Sequence, residues 1–208
     1  MPIVERVPIG QRAPWLTLPL TASAAPAKRR ILETANRLFY DDGIRSVGID
    51  RLISESGVTK ATFYKHYGSK DRLIVAYVAQ RHLVEKQFVD DLIAEADGPE
   101  GAIRALLDGM VTAIEAPGFR GCPFINAATE FTDSRHAVRQ LVTEHREWYA
   151  DTLAGLLRDI GHSLPGEAGD DLILLRDGAM TGGYAGDPVA ATTALLRGAE
   201  RILAEARR

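Results

Sequence analysis

Between Thr59 and Lys70 seven side chains could do chemistry together: Thr59, Lys60, Thr62, Tyr64, Lys65, His66 and Lys70. Hydroxyls, cations and a phenol interleaved in this way match what the phosphate oxygens and base edges of a duplex accept. Outside this stretch no nucleophile, paired carboxylate or metal cluster appears. To act together Lys60 to His66 must share one helix, with Thr59 at its cap and Lys70 at the start of the next, and Phe63 and Tyr67, four residues apart, supply its apolar side. The Thr59 hydroxyl can cap its first turn. Upstream, Ile49, Leu52 and Ile53 form a second stripe, Gly57 permits a sharp reversal and Val58 plugs the turn. A helix, a glycine turn and a second helix would offer the first residues of that second helix to a DNA groove. Which of them reads a base depends on docking angle. Lys28, Arg29 and Arg30 precede a further helical stripe and can reach phosphate or simply face solvent.

The run Gly57-Val58-Thr59, then Phe63-Tyr64-Lys65-His66-Tyr67, then Ser69-Lys70-Asp71-Arg72-Leu73 resembles the DNA-binding domain of the tetracycline-repressor (TetR) family of transcriptional regulators. The helix expected over Ala27 to Tyr40, with Ile31, Leu32, Ala35, Leu38 and Phe39 on one face, fits the family's first helix, so the resemblance runs over residues 27 to 75. Gly48 stands where the family usually has Thr, and Tyr67 and Gly68 replace the commoner Phe and Pro. Gly48 removes a hydroxyl ahead of the second helix. The resemblance implies DNA contacts at Lys28, Arg29, Thr59, Lys60, Thr62, Tyr64, Lys65, His66 and Lys70.

Composition agrees with a globular regulator. The 208 residues are 46% hydrophobic and 25% charged, enough to bury a full core. No stretch approaches the roughly 18 apolar residues of a membrane span. Glu5, Arg6, Gln11 and Arg12 interrupt any leader-like start, so the chain is expected in the cytoplasm, with no membrane partner. The single cysteine, Cys122, allows no intrachain disulfide, and the five histidines show no metal spacing, so no cofactor is expected. Net charge is −3, yet residues 26–72 carry ten Lys or Arg against six Asp or Glu, a net +4. A basic head on an acidic body orients the molecule on a duplex.

The expected fold is all-α: an extended arm over 1–25, a helix-turn-helix head over 26–72, and a helical ligand-binding and dimerisation body over 73–208. Ser69 can cap a long helix to about Ala96, carrying Leu73, Tyr77, Val84, Phe88 and Leu92 on one side. Helices follow over about Glu100 to Glu115, within 118–131, and over Ser134 to Ile160, Glu167 to Ala185 and Pro188 to Ala206. Cys122, Phe124, Ile125 and Phe131 should be inside. In the arm, Trp15, Leu16, Leu18 and Leu20 are apolar for a linker, but composition favours an unstructured extension. Gly178, Gly182, Gly183 and Gly186 each cost about 1 kcal/mol in a helix interior. Either close packing offsets that cost or the helix breaks near Thr181. The resemblance implies that the last two helices pair across a two-fold axis, with Leu172, Leu175, Leu196 and Leu203 needing burial there.

It also implies an effector cavity, for which Met110, Cys122, Phe124, Asn126, Phe131, Trp148, Tyr149, Met180 and Tyr184 are the candidate lining, each a core residue by default. Asn126 is the suggestive one, since an amide in an apolar helix must find a partner. Cys122 is more plausibly a small buried hydrophobe than a redox sensor, no second Cys, Lys or His being adjacent. The expectation is therefore a homodimeric, non-enzymatic repressor on a pseudo-palindromic double-stranded operator, released by an unidentified small molecule. Two alternatives remain: an all-helical sensor or enzyme with a vestigial head, and an effector-independent DNA binder of low sequence preference.

Overall fold

The computed structural model describes residues 25–206, so the arm expected over 1–25 lies outside the described residues save Ala25. Among the described residues the chain forms nine helices and no strand. They are α1 (Pro26–Asp42), α2 (Ile49–Ser56), α3 (Lys60–Tyr67), α4 (Lys70–Glu95), α5 (Gly98–Glu115), α6 (Pro123–Glu130), α7 (Ala137–Asp159), α8 (Pro165–Ala185) and α9 (Pro188–Glu205). None of these is long and apolar enough to cross a membrane.

These helices gather into two compact units. One comprises residues 25–85 and 123–143, the other residues 86–122 and 144–206, so the division falls inside α4. In the first unit, α1 begins with Pro26 in its opening turn, where a missing N–H is harmless, and buries Ile31, Ala35, Leu38 and Phe39. Leu52 of α2 is fully buried beneath the turn. Gly57 ends α2 in the left-handed region at φ 62°, its N–H donating to the Ser54 carbonyl, a conformation strained for any side chain with a Cβ. The hydroxyl of Thr59 then accepts from the Thr62 N–H at 3.2 Å and starts α3, whose Phe63 and Tyr67 are buried as the four-residue spacing demands. Ser69 starts α4 in the same way, accepting from the Arg72 N–H at 3.1 Å. Arg51 pairs with Asp42 and Glu55, both at 2.7 Å, and Arg37 reaches Glu55 at 2.7 Å, tying α2 to α1. The hydrogen bond from Arg37, then that from Arg51, holds the Glu55 carboxyl below its ordinary range.

The second unit is built on α5, α8 and α9, with α8 and α9 in the most extensive contact. Asp187 caps α9 by accepting from the N–H groups of Val189 and Ala190 at 2.9 and 3.2 Å, with Pro188 in the first turn. The helix through Thr181 is unbroken from Pro165 to Ala185, so the break considered there does not occur. Close approach offsets part of the glycine cost: a Cβ on Gly183 would sit 2.4 Å from Cγ2 of Ile114 in α5. Gly178, by contrast, has open space around it.

Three further expectations need correction. The helix placed from Ser134 starts at Ala137, because Asp133 accepts from the Arg135 N–H at 3.0 Å and Nδ1 of His136 accepts from the Val138 N–H at 3.2 Å, holding a turn first. Ile125 and Phe131 are only half-buried, whereas Cys122 and Phe124 are inside. Leu172 and Leu203, expected to need a partner for burial, are already in the core of one chain. The exposed apolar side chains of α8 and α9 are Leu174, Tyr184, Val189 and Leu196, which the helical turn carries away from that core.

Candidate nucleic-acid interface

In α3 the buried pair Phe63 and Tyr67 fixes which side chains can face outward. Lys60, Tyr64 and Lys65 are exposed, Thr62 and His66 half-buried, and Thr59 is exposed at the cap. The Tyr64 ring is 42% exposed but meets the edge of Phe63 at 5.5 Å, so its phenol stands on a braced root. Thr59 and Thr62 hydroxyls lie 2.9 Å apart. Capping and this mutual bond already engage the Thr59 oxygen, whereas Lys60, Tyr64 and Lys65 are exposed to solvent.

Two ties hold α3 against its neighbours. The Tyr67 hydroxyl donates to the Lys28 carbonyl at 3.0 Å, and burial pushes its pKa up to about 12. Lys28 lies with its ammonium 6.0 Å above the same ring, so the start of α1 and the end of α3 present cations side by side. Arg29 pairs with Glu33 at 3.5 Å on the surface, a contact worth little. Lys70, half-buried, donates to the Arg45 carbonyl at 3.4 Å and lies 6.0 Å over Phe39. Desolvation lowers its pKa, opposed in part by the charge of Glu130.

Beside α3 runs a groove of about 500 Å³ lined by Lys28, Arg29, Lys65, His66 and Arg72, with Leu32, Ala76, Ala79 and Leu83 as apolar lining. No Asp or Glu lines it. Four of the ten basic side chains counted over residues 26–72, Lys28, Arg29, Lys65 and Arg72, are thus gathered in one groove, as long-range attraction of a polyanion favours.

The candidate effector residues are distributed over both units. Met110, Cys122, Tyr149 and Met180 are buried in the second, where Trp148 is half-buried under the Lys86 ammonium at 5.3 Å and Tyr184 is exposed beneath Arg120 at 5.0 Å. Phe124, Asn126 and Phe131 belong to the first, Phe131 stacking on His136 at 4.4 Å. The structure brings Cys122 and Tyr149 together through a residue that composition did not suggest: buried Arg176 places two nitrogens 3.7 Å from the Cys122 sulfur and its guanidinium 5.1 Å from the Tyr149 ring. Asp177 accepts from Arg176 at 2.9 Å and from Arg146 at 2.6 Å. An arginine directly after the apolar run Leu172 to Leu175 was the available signal, because a cation in such a stripe must be paired to be buried. Among the described residues no cluster of His, Cys, Asp and Glu could hold a metal.

The profile described as "Bacterial regulatory proteins, tetR family" matches residues 31–77, and "Tetracyclin repressor-like, C-terminal domain" matches residues 98–160. The crystal structure of a TetR-family transcriptional regulator from Streptomyces coelicolor is 40% identical, with a TM-score of 0.85 over 88% of this chain and 97% of that one. This chain belongs to the TetR family of transcriptional regulators. The regulator LmrA of Bacillus subtilis is 27% identical over 144 residues, 68% of this chain and 76% of its own. The match to SrpR of Pseudomonas putida is 29% over 97 residues, and spans only 43% of that protein. Helix-turn-helix architecture, DNA binding and transcriptional regulation follow for this regulator from its family, and α2 and α3 with the Gly57 turn are the elements that carry them.

Proposed function

We propose that this regulator represses transcription as a two-fold dimer on a pseudo-palindromic operator and that a small molecule in its C-terminal body releases it. Lys60, Thr62, Lys65 and His66 enter or flank the major groove, with Thr59 at its edge. Lys28, Arg29, Tyr64 and Lys70 hold phosphates. The observation that carries the reading is the braced, polar outer face of α3 set in a groove without acidic side chains. Support for the dimer comes from α8 and α9, where Leu174 and Val189 are 67% and 68% exposed beside an apolar groove of about 470 Å³. A two-fold pairing there would be matched by an operator whose two half-sites are related by the same symmetry.

Release requires that the effector bind the two arrangements of the dimer with different affinity, since equal affinity shifts nothing. An effector in this body should quench Trp148 and weaken operator binding by roughly 5- to 150-fold, the usual span of such coupling. The direct test of the head is Tyr64→Ala: affinity should fall by a similar factor on every duplex, because a phosphate contact carries no sequence information. Unchanged binding would remove Tyr64 from the interface.

A further inference from the structure

The loop between α1 and α2, residues 43–48, has an anchor that its own sequence does not provide. Its closing residue, Gly48, stands at the α2 N-cap without a side chain, and α2 has no side-chain cap bond. Instead the two oxygens of the Glu130 carboxylate accept from successive backbone N–H groups of that loop, Ile44 at 2.8 Å and Arg45 at 2.7 Å. Glu130 lies 85 residues further along the chain from Arg45 and ends α6. A carboxylate at the last residue of a helix opposes the helix dipole, so its own helix gains nothing from it. Its two donors lie outside that helix, in the DNA-binding head. Bonds from backbone N–H to a carboxylate are charge-assisted and about twice as strong as neutral ones.

The other side of the same loop residue is also held. Lys70 donates to the Arg45 carbonyl at 3.4 Å, and the Glu130 charge favours the protonated form of that lysine. Arg45 is thus clamped at its N–H by α6 and at its carbonyl by the first residue of α4, while its own side chain is exposed. Ile44 is buried, so the loop cannot turn to recover lost bonds without exposing it.

We infer that Glu130 is a positioning residue for DNA binding: its carboxylate fixes the 43–48 loop, and through it presents Arg45 as a further phosphate contact beside Lys70. This rests on the reading above that Lys70 touches phosphate. Glu130 touches no DNA itself; it acts through the loop. The anchor thus ties the end of α6 to the 43–48 loop by two hydrogen bonds.

The test uses the full-length dimer and the duplex that the wild-type regulator selects from a random-sequence pool. Glu130→Ala should lower affinity for it by roughly tenfold or more at a temperature where circular dichroism shows the chain fully folded, with Glu130→Gln in between, since one amide oxygen can still accept one N–H. Arg45→Ala should weaken binding on mixed-sequence duplexes as well and reduce the salt slope by about 1 per protomer. Amide exchange at Ile44 and Arg45 should be slow in the wild type and fast in Glu130→Ala. A purely structural role would lower the melting temperature and leave affinity unchanged while the chain is folded, and that result overturns the inference. Should neither Glu130 variant fold, the wild type decides: fast exchange of the Ile44 and Arg45 amides, or an Arg45→Ala variant with unaltered affinity and salt slope, overturns it too. Failure of the parent reading looks different, since Lys70→Ala would then bind like wild type or the wild type would select no duplex.

Discussion

The outer faces of α3 and of the α8–α9 pair are both exposed, and they are chemically opposite. From α3 the solvent meets Lys60, Tyr64 and Lys65; from α8 and α9 it meets Leu174, Tyr184, Val189 and Leu196. A polar exposed face is compatible with a free surface and with a wet, charged interface alike. A row of exposed apolar side chains beside an apolar groove is costly in water and points to another protein surface. Each face is also backed differently. Tyr67 and its bond to the Lys28 carbonyl support α3, whereas α8 rests on α5 through a glycine, Gly183 against Ile114. One surface is backed by a polar tie beside buried rings; the other is backed by a close backbone approach.

The largest effect should come from charging the apolar face. Leu174→Glu with Val189→Glu should convert the dimer into a monomer by light scattering at micromolar concentration, and operator affinity should fall by 100-fold or more, roughly the avidity that two linked half-sites provide. A dimer that survives the double substitution would place the two-fold elsewhere and dissolve the contrast between the faces. Next in size is Gly183→Ala. Its Cβ would overlap Ile114 Cγ2, a stiff β-branched side chain, and overpacking of this kind costs about 1 to 3 kcal/mol. Gly178→Ala is the control, expected to stabilise by up to about 1 kcal/mol because space is open there in one chain. If Gly178→Ala instead weakens dimerisation, the partner occupies that space.

Tyr67 gives a smaller effect with a defined pH window. Its pKa rises from the ordinary 10.0 to about 12 in the folded chain, because burial disfavours the phenolate. The unfolded chain therefore loses this proton first, and the stability Tyr67 contributes is complete below pH 10 and lost as pH rises to about 12. Tyr67→Phe should flatten that decline in denaturant titrations and cost about 1 kcal/mol at neutral pH for the lost hydrogen bond. A decline of equal steepness in the variant would assign it to other groups. The smallest effect is at Lys70: Lys70→Ala should lower the slope of log affinity against log salt by about 1 per protomer. Since its ammonium already donates to Arg45, a slope change well below that would show that the internal bond outcompetes phosphate.

Much of the head was legible because its signals are local. Thr59 and Ser69 cap the helices that their positions announced, Gly57 makes the turn, and Phe63 and Tyr67 go inward together. Such features depend on residues within four positions of one another, where helix geometry fixes distances. The body was less legible. Leu172 and Leu196 both lie on amphipathic helices, yet Leu172 is in the core and Leu196 on the surface, since which side of the apolar stripe faces inward depends on the neighbouring helix. Likewise the turn at 133–136 is made by Asp133 and His136 side chains that could equally have begun a helix.

By itself the sequence determined the order and type of the helices, the position of the turn and the polar face of α3, because periodicity and capping are short-range. Only the tertiary structure decided that the Glu130 carboxylate holds Ile44 and Arg45, that Arg176 reaches Cys122 and Tyr149, and that Gly183 admits Ile114. Each joins residues 54 or more positions apart, except for Arg176 and Tyr149, which meet from different helices. No spacing rule along the chain encodes such a meeting; it exists only once the helices have packed and each buried polar group or glycine has met whatever the fold puts opposite it.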